Sequence, residues 1–330
     1  MENGIQEILD RCLDGEEVGS EEAVALLSLH PESADARGVL AAAREAARRF
    51  SGNRGRVWAA IGVDYRPCPM NCKFCSFGER WGIVRSAGEW PPEQVAHQAR
   101  EFWRQGAHWV TLRTTEHYSL DRLCEVAERV GPAAHAGAEL VANTGELDRS
   151  GAQRLHAAGF TTAYHVLRLR EGVDTGLRPE VRLATLAAIR DSDLKLAHLV
   201  EPVGPEHTAE ELAECLLRAL GYGATLTGAM ARVPVPGTPL ADFGQIGDRA
   251  LALVVAVSRL VAGPRASDIC VHPPSLEGVR AGANVVVVET GAVPREMAEA
   301  RGTWRSFSLP EAQGLLASGG YSVTDAREVL

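Results

Sequence analysis

The sequence of 330 residues is short of the features that mark several common classes of protein. It has no basic excess: 34 Lys and Arg face 43 Asp and Glu, for a formal net charge of −9. A phosphate-binding surface wants the opposite balance, so neither nucleic acid nor an acidic membrane is an expected partner, although a local basic patch stays compatible with the total. No apolar run comes near the ~18 residues that a membrane span requires. The opening stretch, "MENGIQEILDRCLDGEE", is acidic and lacks the basic and apolar regions of a secretory signal. A cytoplasmic location is therefore expected, where thiols stay reduced. There is no short-period repeat and no low-complexity segment. Seven cysteines, an odd number, fit poorly with a fully paired disulfide framework, and in a reducing compartment a tight group of them points to metal or redox chemistry.

What is present is an ordinary globular mixture, 45% apolar and 23% charged. Residues 1–55 read as polar-faced helices, with Ser20 as a possible N-cap. Then short β-branched or apolar runs recur at 57–63, 109–113, 138–142, 162–167, 195–200, 225–231, 268–272 and 284–288. Amphipathic stretches separate most of them. In "PPEQVAHQAREFWRQG", proline opens the helix, Val95, Ala99 and Phe102 share one face, and Gly106 closes it. Strands alternating with helices imply an α/β fold with a parallel sheet. The length suits a (β/α)8 TIM-type barrel, which takes about 250 residues; an open doubly wound sheet is the alternative. The expected organisation is a helical N-terminal extension (1–55), a barrel (56–305) and a C-terminal tail packing on it (306–330). In such a barrel, chemistry sits at the C-terminal ends of the strands.

The stretch "YRPCPMNCKFCSFG" (65–78) places Cys68, Cys72 and Cys75 in a C-x3-C-x2-C spacing after the first expected strand. A structural zinc site would need four protein ligands, and the nearest downstream histidine, His97, lies inside an expected helix. A [4Fe–4S] cluster held by three thiolates leaves one iron open to an outside ligand. The spacing, with Phe74 between the second and third cysteines, resembles that of the radical S-adenosylmethionine (SAM) superfamily. That resemblance implies a [4Fe–4S] cluster on the three cysteines and SAM as cofactor. SAM would bind the open iron by its amino and carboxylate groups. Reductive cleavage would give a 5′-deoxyadenosyl radical that abstracts hydrogen from a small-molecule substrate. It also implies a reductant such as flavodoxin or ferredoxin, and a monomer or homodimer.

Further segments extend the likeness over about 56–300. "VANTGELDRSGAQRLHAAGF" (141–160), "VEPVGPEHTAEEL" (200–212), "MARVPVPGTPLAD" (230–242) and "GVRAGANVVVVETG" (278–291) are similar to the biotin synthase, HydE and methylornithine synthase (PylB) branch, with HmdB a further neighbour. Thr114, Thr115 and Glu116 stand where the superfamily has a Gly-Gly-Glu-like turn holding the SAM amino group. The glycines are absent, so Glu116 carries the likeness, with an ordinary loop carboxylate as its other reading. Biotin synthase holds a second, sacrificial [2Fe–2S] cluster on three barrel cysteines and an arginine. The cysteine positions fall near Thr111, Val141 and Ala197, and the arginine position at or next to Cys270, so that route has no ligands here.

Other candidates lie at strand ends. Arg168, Arg170 and Glu171 close the fourth strand, where the resemblance implies a charged contact to SAM; one arginine should face the barrel and the other solvent. Asn143 ends the third strand as a polar SAM or substrate contact. Glu201 and Arg232 end the fifth and sixth; they suit a zwitterionic substrate, or pair with each other. Cys270 and His272 share a face of the seventh strand. Cys270 either donates a hydrogen atom or sulfur contact or packs as a small hydrophobe, and His272 is a substrate contact. Tyr65 caps the cluster or packs, and Trp81 and Trp90 shield the loop or anchor it.

The resemblance implies a radical SAM enzyme of cofactor or natural-product biosynthesis, expected to catalyse a skeleton rearrangement or fragmentation. The alternatives are a sulfur-inserting synthase of biotin or lipoyl type and a non-catalytic iron–sulfur scaffold. Iron analysis separates the first two. One cluster gives about four irons per chain, all lost when Cys68, Cys72 and Cys75 are replaced together by alanine. Iron and sulfide retained by that triple variant would establish a second cluster.

Overall fold

The structure, a computed structural model, describes residues 2–132, 137–292 and 307–323. Three helices come first: α1 (Glu2–Asp14), α2 (Ser20–Leu27) and α3 (Ala34–Ser51). The cap of α2 is Gly19, not Ser20, because the Gly19 N–H donates to the Glu22 carboxylate at 2.9 Å. Ser33 Oγ accepts the Ala36 N–H at 3.0 Å to start α3, which ends at Gly52 in the left-handed region (φ 60°). The small buried face of α3, Ala36, Val39, Ala43, Ala46 and Ala47, lets it lie close against α9 (Asp248–Ala262). Among the described residues no helix is long and apolar enough to cross a membrane.

Eight parallel strands follow: β1 (Arg54–Gly62), β2 (Trp109–Arg113), β3 (Glu139–Asn143), β4 (Thr162–Tyr164), β5 (Lys195–Ala197), β6 (Ala224–Ala231), β7 (Asp268–His272) and β8 (Val285–Gly291). Each pairs with the next, and β8 pairs with β1 from Arg56↔Val285 to Gly62↔Gly291, so the sheet closes. The intervening helices are α4 (Pro92–Arg104), α5 (Leu120–Val130), α6 (Arg149–Ala157), α7 (Pro179–Arg190), α8 (Ala209–Gly221), α9 and α10 (Leu276–Arg280). The expected fold is thus the one found, a closed (β/α)8 barrel. Helix α11 (Leu309–Ser318) lies against β1 and α10, and Ser322–Val323 pairs with Arg54–Gly55 at the barrel's lower rim. The expected boundary at 305–306 and residues 324–330 lie outside the described residues.

Two strands depart from the expectation. The fourth ends at Tyr164 rather than 167, where the chain swings across so that Leu169 N–H meets Glu201 O at 2.8 Å. The fifth breaks after Ala197, with a register shift against β6, and resumes at Val200–Val203. These irregular upper ends open room inside the barrel. Lower down, the inward positions Trp58, Trp109, Val141, Leu226, Cys270, Val285 and Val287 pack into a solid plug. Trp58 meets Tyr164 edge-on, with centroids 5.3 Å apart. The outward positions Val57, Ala59 and Ile61 join the larger core beneath the helices.

Strand β6 passes β7 so closely that a Cβ on Gly228 (φ 133°) would lie 2.1 Å from Cys270 O. Gly228→Ala is expected to destabilise the barrel by ~2 kcal/mol or more, read as a lower urea midpoint at unchanged slope.

Candidate active site

The cysteine loop leaves β1 and folds back over the C-terminal end of the barrel. It is rooted by a short hairpin, Asp64–Tyr65 against Gly88–Glu89. Its own backbone then closes the turns: Cys68 N–H to Phe77 O at 2.6 Å, Cys75 N–H to Cys72 O at 3.0 Å, and Glu79 N–H to Cys68 O at 3.1 Å. Asn71 takes a left-handed conformation (φ 46°), and its side chain accepts the Arg80 N–H at 2.9 Å. Neighbouring loops pin the outside. Lys73 meets Asp174 through backbone (2.8 Å) and side chain (3.0 Å), and Gly176 N–H reaches Met70 O at 2.7 Å. A Cβ on Gly176 would stand 2.6 Å from that carbonyl. The Trp81 indole packs on Gly78 and donates to Cys72 O at 3.2 Å, so it anchors the loop. The Tyr65 ring covers Gly88, which makes it a packing residue of the hairpin.

Cys68, Cys72 and Cys75 line one cavity of about 720 Å³ together with Phe74, Thr114, Thr115, Glu116 and Arg168. All seven cysteines are free thiols. Burial pushes the Cys68 thiol up and the Cys72 thiol up to about 12, each partly raised by a neighbouring cysteine's charge. Among the described residues no three ligating side chains converge tightly enough for a single metal ion. Three cysteines of one loop lining one cavity make the donor set that a polynuclear group takes, with a thiolate at each of three corners. A cationic centre would also supply the charge that makes such buried thiols ionise.

Opposite the cysteines, the turn after β2 is held from below. Asp64 accepts the Thr115 N–H at 2.7 Å and its hydroxyl at 2.5 Å, so Thr115 positions the turn. A Cβ on Gly145 would lie 2.1 Å from Glu116 O, so the next loop passes flush against this one. The Glu116 carboxylate looks into the cavity, and burial raises its carboxyl above the usual range against the pull of Arg182 and Arg168. Behind it Arg182, nearly fully buried on α7, reaches carboxylates from three strand-end loops: Glu116 (3.8 Å), Glu146 (3.0 Å) and Glu171 (3.6 Å). Burial and Arg182 together hold the adjacent His165 far below the usual imidazole range and hence neutral.

Arg168 is the link between compartments. It lines the cysteine cavity and a second one of about 530 Å³ with Glu201, Met230, Arg232 and His272. Burial opposes its charge, and Glu171 and Glu201, 3.5 and 3.7 Å away, outweigh that and keep it cationic. Its Nη1 is buried with no hydrogen-bond acceptor. Below lies a third cavity of about 490 Å³, inside the barrel, lined by Trp58, Thr111, Arg113, Asn143, Tyr164 and Glu289 among others. Met230 and His272 line both, so the two meet. Its wall carries an Arg113–Glu289 ion pair at 2.6 Å with His272 Nε2 3.9 Å from Glu289, and a Tyr164–Glu201 hydrogen bond. Trp58 and Thr111 bond at 2.6 Å on its floor.

The structure therefore gathers Cys68, Cys72, Cys75, Phe74, Thr115, Glu116, Arg168, Asn143, Glu201 and His272 around three adjoining cavities. Of the other expected candidates, Arg232 lines the second cavity, while Arg170 and Cys270 sit elsewhere. Arg170 points away, bonded to Glu211 at 2.7 Å on the outer side of α8, because its left-handed backbone (φ 54°) turns it outward. Arg232 does not pair with Glu201; it forks onto Glu206 (Nη2–Oε2 2.9 Å) and serves as wall. Cys270 is wholly buried one layer beneath His272, where burial pushes its thiol up, and it lines none of the three cavities. Sequence reading passed over Asp64, Arg113, Arg182 and Glu289. Arg113 and Glu289 were accessible to the strand-end rule, but the eighth strand was expected to stop at 288. Arg182 occupies the buried stripe Arg182–Thr185–Leu186–Ile189 of α7, where an arginine is itself a signal.

No protein-family model matches the chain. A biotin synthase of a Nocardioides species is 27% identical over 274 residues, covering 79% of this chain and 71% of that protein. A second, from Beijerinckia indica, is 30% identical over 209 residues, 59% and 63% of the two chains. Among solved structures, methylornithine synthase (PylB) superposes with a TM-score of 0.79 at 17% identity, covering 97% of this chain and 98% of that one. The hydrogenase maturase HydG also gives 0.79, at 15% identity over 97% and 76%.

Arg182→Met would leave three carboxylates without their shared cation. It is expected to cost ~3 kcal/mol or more and to release the turn bearing Glu116, with Arg182→Lys recovering part of both. Thermal melts and limited proteolysis between residues 114 and 118 check this.

Proposed function

We propose that this chain, a radical SAM enzyme of the biotin synthase, PylB and HydE branch, takes hydrogen from a small molecule held in the inner cavity and rearranges or fragments its carbon skeleton, in cofactor or natural-product biosynthesis. The observation that carries the reading is the adjacency of compartments through shared walls. The cavity of the three cysteines shares Phe74, Cys75 and Arg168 with the second cavity, which shares Met230 and His272 with the third.

The cofactors are a [4Fe–4S] cluster and SAM; when bound, they supply an open iron, one electron and reductive cleavage to methionine and a 5′-deoxyadenosyl radical. The residues present divide the remaining work. Cys68, Cys72 and Cys75 hold the cluster. Glu116 receives the SAM ammonium, with Asp64 and Arg182 fixing its turn. Arg168 offers the SAM carboxylate its Nη1, which is 3.5 Å from Glu171 but makes no hydrogen bond. Phe74 and Leu177 give the cysteine cavity apolar walls that exclude water. Asn143, whose side chain donates to Tyr164 O at 3.0 Å, lines the inner cavity as a polar contact. In the inner cavity, Arg113, Glu289 and His272 orient a polar or zwitterionic head, and Trp58, Leu199 and Val287 receive an apolar body. Glu201 stands between Arg168 and Tyr164, coupling the two compartments.

A sulfur-inserting synthase is the second reading, and the sequence relatives favour it. The barrel interior speaks against it. Thr111, Val141 and Ala197 face inward without a thiol, and Cys270 is the one cysteine of that inner layer among the described residues.

Anaerobically reconstituted protein with dithionite and SAM is expected to form 5′-deoxyadenosine and methionine in equal amounts. His272→Ala should retain this cleavage while failing to move deuterium from substrate into 5′-deoxyadenosine. Absence of cleavage in the wild type would refute the proposal.

A further inference from the structure

The inner cavity constrains its occupant more tightly than a polar head and an apolar body. Besides His272, its lining among the described residues holds two charged side chains, Arg113 and Glu289, and these touch: Arg113 Nη1 meets Glu289 Oε1 at 2.6 Å. Both are largely buried, at 11% and 8% exposed. Arg113 carries five N–H donors, and among the described residues its side chain makes one hydrogen bond, to Glu289. A carboxylate accepts several hydrogen bonds at once, so Glu289 can take a second donor beside Arg113. Arg113 also lines the cysteine cavity, so a head bound to it stands at the wall between the two compartments.

The rest of the lining is uncharged. The Trp58 indole donates to the Thr111 hydroxyl at 2.6 Å, the Tyr164 phenol donates to Glu201, and the Asn143 amide donates to Tyr164 O at 3.0 Å. Around them Ala60, Leu199, Met230 and Val287 are apolar. A charge on the far end of a ligand would be buried there without a partner.

We propose that the inner cavity binds an α-amino acid with an uncharged, apolar side chain, its carboxylate on Arg113 and its ammonium on Glu289. That this ligand is the substrate rests on the radical SAM reading, which the proposal deepens. The spacing of charge decides the class. The two protein charges are in direct contact, so the ligand's opposite charges must sit on neighbouring carbons, as they do in an α-amino acid. An ω-amino acid holds them a chain length apart and cannot meet both. A simple carboxylate or amine would add a net charge to a buried, electrically balanced pair, whereas a zwitterion adds none. The guanidinium fork matches a carboxylate through parallel N–H donors. The apolar floor then excludes a second cation in the side chain.

The test is calorimetry on the cluster-free full chain, and on protein reconstituted with cluster and SAM but given no reductant. The probes are L-leucine and L-phenylalanine, and at least one is expected to bind in the millimolar range or tighter. Removing either charge from the better binder should weaken binding about tenfold or more; the analogues are 4-methylpentanoate and 3-methylbutylamine for leucine, 3-phenylpropanoate and 2-phenylethylamine for phenylalanine. L-Lysine and 6-aminohexanoate should be weaker by about as much. Arg113→Gln and Glu289→Gln should each weaken the amino acid about tenfold or more. Glu116→Gln, in the cysteine cavity, should leave its affinity for cluster-free protein within about twofold of wild type. Either substitution in the buried pair can loosen the barrel rim, so the ligand series on wild type decides by itself. No binding of either amino acid, affinity unchanged by loss of a charge, or tightest binding of lysine overturns the proposal. So does binding that Glu116→Gln abolishes, which would place the ligand in the cysteine cavity. A wild type that cleaves no SAM with dithionite would sink the functional reading instead, and the ligand series on cluster-free protein would still judge this site.

Discussion

The site depends on holding three thiols in fixed relation over the open end of a barrel with a loop that has almost no regular secondary structure. Such a loop has no ladder to satisfy its backbone, so it borrows partners. Cys68 and Phe77 close its neck, Asn71 folds its tip, and Asp174, Gly176 and Leu240 tie its outside to loops that follow other strands. The glycines at 78 and 176 sit where any side chain would collide with Trp81 or with Met70 O. The loop is therefore a product of the barrel's rim, and the thiols keep their spacing only while the neighbouring loops keep theirs.

Charge is the second organising constraint. The upper barrel buries arginines and carboxylates that a plain core would avoid, and nearly all are matched: Arg113 with Glu289, Arg168 with Glu171 and Glu201, Arg182 with Glu116, Glu146 and Glu171. Pairing of this kind adds little net stability against a hydrophobic equivalent. Its use is geometric: it holds polar groups at set places around cavities that, on the proposed reading, receive a charged sulfonium amino acid and a second small molecule. Beneath that ring, Trp58, Trp109, Leu226 and Val285 make a solid floor, so the lower barrel carries stability and the upper barrel carries chemistry.

Much of this was readable from the residues. The strand–helix rhythm predicted the barrel because parallel strands buried on both faces leave uninterrupted β-branched runs such as Val285–Val288. The cysteine spacing predicted that the three thiols share one loop, and they line one cavity, because residues so close in sequence stay close in space. Side-chain partners were harder, since they join residues far apart in the chain. Arg168 and Arg170 look equivalent in sequence, and only the left-handed turn at Arg170 sends one inward and one out. For Arg232 the sequence left a substrate contact or a pairing with Glu201 open, and its partner is instead Glu206. Arg182 and Asp64, which position the turn of Glu116, act through loops whose approach no periodicity encodes.

The central claim is that Cys68, Cys72 and Cys75 hold one [4Fe–4S] cluster with an iron free for SAM. Low-temperature EPR of the dithionite-reduced protein tests it most directly. The account predicts a cubane-type signal that changes shape when SAM is added and disappears in Cys72→Ala. A reduced protein with no such signal, or one whose signal persists in Cys72→Ala and ignores SAM, would contradict it.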